Sequence, residues 1–133
     1  MSAKVLIVDD HEIVREGIRR FLSTSRPDWD ICGEATNGKQ AIDAVQRLKP
    51  DVVILDITMP GMSGLEAATH IVKLNLGCRI LIFTMHDSDR LTTEVQDAGA
   101  HGYVQKSQAA RDLVIAIERL LKGGTFFNDG RKT

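Results

Sequence analysis

The chain has 133 residues, 43% hydrophobic and 26% charged, which suits one folded domain able to bury roughly two thirds of its unfolded surface. Its 17 Lys and Arg against 18 Asp and Glu give a formal net charge of -1, so no global field draws it to nucleic acid or to an anionic membrane. Cys32 and Cys78 lie outside any metal-type spacing, which argues against zinc and a disulfide framework, and no apolar run approaches the ~20 residues of a membrane span. A cytoplasmic protein with inert thiols is expected.

Val5 to Val8 form a continuous aliphatic run that predicts a strand covered on both faces, and it ends in Asp9-Asp10. Ile13, Val14, Gly17, Ile18, Phe21 and Leu22 then follow a helical stripe. Ser23 to Asp28 reads as a loop, and Trp29 to Ala35 alternates weakly, as a short edge strand does. Asn37 with Gln40 predicts a capping box for a second helix with Ala41, Ile42, Val45 and Leu48 inward, closed by Pro50.

Val52 to Leu55 form the greasiest strand and run straight into Asp56, followed by the turn Pro60-Gly61. Ser63 and Glu66 predict a second capping box, with Leu65, Ala68, Ile71 and Val72 as the third helical stripe and Gly77 as its stop. Ile80 to Phe83 lead into Thr84. Asp87 or Ser88 is expected to cap a fourth helix whose stripe of Leu91, Val95 and Ala98 is thin, making it the least firmly held. A last strand at Tyr103 to Gln105 ends at Lys106, and Ser107 is expected to cap a fifth helix with Leu113, Ile117, Leu120 and Leu121 inward, stopped by Gly123-Gly124. Phe126 to Thr133 reads as a polar tail or linker stub.

Five strands alternating with five helices predict an α/β fold with a doubly wound parallel sheet. The polarity of the second and fifth strands puts them at the edges, which fits the flavodoxin-like order 2-1-3-4-5. Asp9, Asp10 and Asp56 then meet at the carboxyl ends of the first and third strands, where such folds bind ligands. Crowded carboxylates repel, and three oxygen-bearing acids without His or Cys call for magnesium. An Asp can be a nucleophile toward phosphorus; Lys106 can supply positive charge and Thr84 a hydrogen bond to a phosphoryl oxygen. Each acid or hydroxyl alone is more often a helix cap, and a lone lysine is usually solvated. The conjunction carries the reading.

Val8-Asp9-Asp10, Asp56 to Gly64, Thr84 and Gly99 to Lys106 together resemble the receiver domain of two-component response regulators over Lys4 to about Leu121. The run Asp9 to Ile18 further resembles the nitrate-response and nodulation-regulator subgroup, which carries a LuxR-type helix-turn-helix output. The resemblance implies a CheY-like fold, Asp56 as acceptor of a phosphoryl group from a sensor histidine kinase, and a Mg2+ ion. Its ligands would be Asp10, Asp56 and the Thr58 backbone carbonyl, with Asp9 acting through water. It also implies Lys106 as the phosphoryl partner and Thr84 with Tyr103 as the switch pair. Self-phosphorylation and autodephosphorylation are then the only chemistry expected.

On this reading residues 4–122 are the receiver and 123–133 a tail or linker stub. The native protein is expected to continue into a helix-turn-helix, with DNA contacted only there, and phosphorylation is expected to promote homodimerisation through the helix four to helix five face or through helices one and five. The alternative is a stand-alone receiver acting by protein–protein contact. Met85, bulky where the family is commonly small, is expected to narrow access to Asp56. Ser107, standing where many receivers have proline, removes the usual reason for a cis bond. A haloacid-dehalogenase-type phosphatase would want a second Asp at the Thr58 position, and a flavodoxin would want a hydroxyl-rich phosphate loop where Asp9-Asp10 stands.

Overall fold

A computed structural model describes residues 2–86 and 88–127. Its elements follow the aliphatic runs and helical stripes of the sequence in strict alternation. They are β1 (Lys4–Val8), α1 (Glu12–Ser25), β2 (Asp30–Ala35), α2 (Gly38–Leu48), β3 (Val52–Leu55), α3 (Gly64–Lys73), β4 (Arg79–Thr84), α4 (Leu91–Asp97), β5 (Gly102–Gln105) and α5 (Ala109–Leu121). The strands are parallel in the order β2-β1-β3-β4-β5, the CheY-like flavodoxin arrangement expected.

Alternate residues of each strand enter separate cores. Leu6, Val8, Val53, Leu55, Ile80, Ile82 and Tyr103 pack with residues of α2, α3 and α4. Val5, Ile7, Val52, Ile54, Leu81, Phe83 and Val104 pack with Ile18 and Leu22 of α1 and with Leu113, Ala116, Ile117 and Leu120 of α5. A sheet buried on both faces explains why its central strands lack polar alternation. Asp30–Ala35 alternates weakly because β2 carries an irregularity: Val5 pairs with Ile31 but Leu6 with Gly33, leaving Cys32 without a partner in β1. Burial pushes the Cys78 thiol up to about 11 and raises that of Cys32 as well, so both stay protonated near neutrality.

This register sets up the functional edge. Val8 and Leu55 are paired, so the next residues, Asp9 and Asp56, leave the sheet side by side, and the Asp56 amide donates to the Val8 carbonyl at 3.0 Å. After Asp56 the chain turns through Gly61 at φ 77°, in the left-handed region that favours glycine. It then enters α3 through the complete Ser63–Glu66 capping box. Gly64, the first residue of α3, lies so close to β3 that a Cβ there would sit 1.9 Å from the Asp56 carbonyl oxygen.

Several local expectations are corrected. Asn37 caps α2 by accepting from the Gln40 amide, but the Gln40 side chain accepts from the Thr36 amide and hydroxyl, so that box is only half formed. Ser88 gives α4 a backbone carbonyl, to the Leu91 amide, rather than a side-chain cap, and the other candidate, Asp87, lies outside the described residues. Ser107 belongs to a short 3₁₀ turn, Lys106–Gln108, that ties up the backbone ahead of α5 in place of a side-chain cap. Helix α1 runs on to Ser25, and the Pro27 that follows restricts Arg26, where the helix stops. Ile13 and Val72 are exposed, Ile13 to 82%, because the α1 and α3 contacts fall on neighbouring residues. Finally, Phe126 is buried and bridged to Gly102 instead of beginning a polar tail; residues 128–133 lie outside the described residues.

Substituting Gly64→Ala should lower stability by about 1–3 kcal/mol, the usual cost of forcing atoms into a packed contact, as read from urea unfolding. An unchanged midpoint would contradict the close packing of α3 on Asp56.

Candidate functional site

Three strand ends supply the site. Strand β1 delivers Asp9 and Asp10, β3 delivers Asp56, and β5 delivers Lys106, whose ammonium donates to Asp9 Oδ2 at 2.8 Å and lies 3.5 Å from Asp56 Oδ1. Asp9 is almost fully buried and Asp56 is 5% exposed. A cavity of about 330 Å³ opens above Asp56, lined by Asp10, His11, Asp56, Thr58, Met85, His86 and Lys106. Arg15 reaches the Asp9 backbone carbonyl at 2.7 Å and pairs with Glu34 at 2.8 Å, which fixes the start of the acidic loop from outside.

Burial pushes the Asp56 carboxyl above the ordinary aspartate range. The nearby charge of Asp9 adds to the push, and Lys106 and the Thr58 backbone pull the other way. The ionised form is therefore held against both desolvation and repulsion, the situation a bound cation relieves.

Asp9, Asp10, His11 and Asp56 each place one ligand atom within 4.8 Å of all the others. Asp10 Oδ1 is buried, lies 3.2 Å from His11 Nδ1 and accepts no hydrogen bond, leaving it free for a cation. The three carboxylates fit a hard divalent ion such as magnesium, and the His11 imidazole lies beside them. No histidine was expected beside these acids, and His11 stands there with Nδ1 3.2 Å from both Asp9 and Asp10. Adjacency to Asp10 was the available signal. The carboxylate majority still favours a hard ion.

The other expected residues stand at differing distances from this centre. Thr58 lines the cavity and its hydroxyl lies 3.2 Å from His86 Nε2. Thr84 is fully buried at the end of β4, where its hydroxyl oxygen accepts from the His86 amide at 3.0 Å. An accepting hydroxyl keeps its own proton for a further acceptor. Tyr103 is 2% exposed, its ring lies in the core on the α4 side, and its hydroxyl accepts from Thr92 at 3.3 Å. Thus Asp9, Asp10, Asp56 and Lys106 converge, Thr58 sits on the cavity wall, and neither Thr84 nor Tyr103 lines the cavity. Met85 is on the wall too, yet 80% exposed, so it stands at the rim.

Because the folded Asp56 carboxyl titrates above its unfolded value, its stabilising contribution is present in acid and is lost as pH rises through the folded pKa. Without divalent metal, Asp56→Asn should therefore melt above the wild type at pH 7.5, and the difference should shrink as pH falls toward 4, near the unfolded aspartate value. Equal melting temperatures at pH 7.5 would contradict the strain placed on Asp56.

Comparison with known proteins agrees with this geometry. The family model of the response regulator receiver domain matches residues 5–118. The response regulator protein VraR of Staphylococcus aureus is 39% identical over 127 residues, covering 96% of this chain and 60% of VraR, so the chain spans under two thirds of that relative. The crystal structure of a LuxR-family two-component response regulator from Aurantimonas sp. SI85-9A1 superposes with a TM-score of 0.90 at 41% identity, covering 98% of this chain and 92% of that one. The signal receiver domain of the putative response regulator NarL from Mycobacterium tuberculosis gives 0.86 at 32% identity, with 92% and 98% covered. Receiver domains accept phosphoryl groups from sensor kinases and bind Mg2+ at an acidic pocket of this kind, and the chain belongs to the response regulator receiver domain family.

Proposed function

We propose that Asp56 is the phosphoryl acceptor and that Lys106, Asp9 and Asp10 prepare it. The observation that carries this is the convergence of a lysine from β5 on acids from β1 and β3, with Nζ 2.8 Å from Asp9 and 3.5 Å from Asp56. In the reaction one Asp56 carboxylate oxygen attacks phosphorus as the bond from phosphorus to the donor nitrogen of a kinase phosphohistidine breaks, giving an acyl phosphate and a free imidazole. Asp10, Asp56 and the Thr58 carbonyl would hold Mg2+, with Asp9 acting through water, and the ion supplies compensation for charge on the phosphoryl oxygens. Lys106 adds a second positive charge, and the free proton of Thr84 supplies a hydrogen bond. Attack by water on phosphorus later breaks the bond to the Asp56 oxygen, releasing inorganic phosphate and restoring the carboxylate.

The new charge draws the Thr84 hydroxyl from the His86 amide, and Tyr103 answers because β4 and β5 are paired at Thr84–Gln105 and Ile82–Tyr103. Helix α4 is the element free to respond: it has seven residues, and only Leu91 and Val95 are buried. We divide the chain into a receiver of residues 4–122 and a connecting segment of 123–133. The output is a LuxR-type DNA-binding domain in a longer cytoplasmic protein, which the greater length of VraR supports.

Phosphorylation would promote homodimerisation. An apolar groove between α1 and α5, lined by Val14, Gly17, Phe21 and Ala110, favours that face over the α4–β5–α5 face. Light scattering should show a doubled mass with a phosphoryl mimic and Mg2+; an unchanged mass would contradict this.

Incubation with acetyl phosphate should label the wild type only when Mg2+ is present and should not label Asp56→Asn. Labelling of the variant to the wild-type level would overturn the assignment.

A further inference from the structure

Residues 124–127 are bound to the sheet more tightly than a linker needs. The Phe126 amide donates to the His101 carbonyl at 3.0 Å, and the Tyr103 amide donates to the Phe126 carbonyl at 2.9 Å, a parallel bridge along the free edge of β5. Gly102 is what admits this approach, since a Cβ there would lie 2.4 Å from the Phe126 oxygen. Arg79 fixes the entry by donating to the Gly124 carbonyl at 2.7 Å. The two aromatic rings then part as successive residues of a strand do. Phe126 enters the core on the α1 and α5 side, with the Arg119 guanidinium 5.3 Å from its ring centre. Phe127 packs on the opposite side, its ring 6.2 Å from that of Tyr103 in an edge-on arrangement.

Tyr103 is therefore held at three points: its amide by Phe126, its ring by Phe127, and its hydroxyl by Thr92 of α4. Two of these belong to the segment that leads out of the domain. A side chain so placed cannot turn outward without losing the Phe127 contact, and Phe127 cannot leave without uncovering the ring.

We propose that residues 124–127 are a strap, joined to β5 by one parallel bridge, that senses the position of Tyr103 and carries the state of Asp56 to whatever follows residue 127. The proposal rests on the reading of Asp56 as acceptor and Tyr103 as switch. Tyr103 is buried with Phe127 against it; on the reading, implied by the receiver-domain resemblance, that the ring lies inward when Asp56 is phosphorylated, a docked strap favours that state. By reciprocity, phosphorylation tightens the strap.

Amide hydrogen exchange followed by NMR on the 133-residue chain, with and without beryllofluoride and Mg2+, tests this. Slower exchange is expected at Tyr103 and Phe126 together when the mimic binds, with little change at Ile7 in the sheet centre. Phe127→Ala should lose the gain at Phe126 and need about two- to tenfold more beryllofluoride for half-saturation, the worth of one aromatic pair, with Mg2+ affinity unchanged. Gly102→Ala, which blocks the bridge by a separate route, should abolish the same gain. A response at Tyr103 without one at Phe126, wild-type mimic binding by Phe127→Ala, or a loss of protection in that variant equal at Ile7 and Phe126 would overturn the strap while leaving the acceptor assignment standing. Absence of any shift around Asp56 with the mimic would sink the acceptor assignment, and the strap with it.

Discussion

The ammonium of Lys106 among the carboxylates of Asp9 and Asp56 is the interaction on which the remaining structure depends. Parallel register forces the two acids together: with Val8 opposite Leu55, the next residue of each strand leaves the sheet beside the other. Burial strips both of solvent, so repulsion is only weakly screened. A single lysine offsets part of this, and Asp56 is left with its carboxyl raised above the usual range. Asp10, with a buried oxygen lacking a partner, adds to the same deficit. The site is thus short of positive charge by construction, the situation that a divalent ion relieves.

The fold keeps that deficit from relaxing away. The strands on either side of Asp56 lie in two aliphatic cores, one on each face of the sheet, and the loop after Asp56 is pinned by the Ser63 capping box and by Gly64 against the Asp56 backbone. Freedom is confined to one side. Helix α4 is two turns long and thinly packed, and it meets Tyr103 through Thr92. Firmly held acids thus stand on one flank of the site and a lightly held helix on the other.

Most of the fold was legible because the signals were local. Unbroken aliphatic tetrads mark strands buried on both faces, and the weaker runs at Asp30–Ala35 and Gly102–Gln105 are the sheet edges. The acids and the lysine were legible because each follows directly on a strand, so topology alone brings them to one end. What escaped the sequence depends on tertiary register. His11 follows Asp10 directly, but only the turn after β1 sets its ring against Asp9 and Asp10. Ser107 has capping chemistry but falls within a 3₁₀ turn, and Gln40 turns its amide to Thr36. Phe126 and Phe127 lie next to Gly123-Gly124 and read as the start of a tail, because the edge of β5 that receives them is more than twenty residues away in sequence.

The measurement that bears most directly on the central claim is the Mg2+ affinity of Lys106→Met, by calorimetric titration beside the wild type. If the ammonium holds acids that are short of positive charge, its removal should make Mg2+ bind several-fold more tightly, since the ion then meets carboxylates with no competing cation. Unchanged or weaker binding would contradict the account, for it would mean that the lysine and the metal do not answer the same charge.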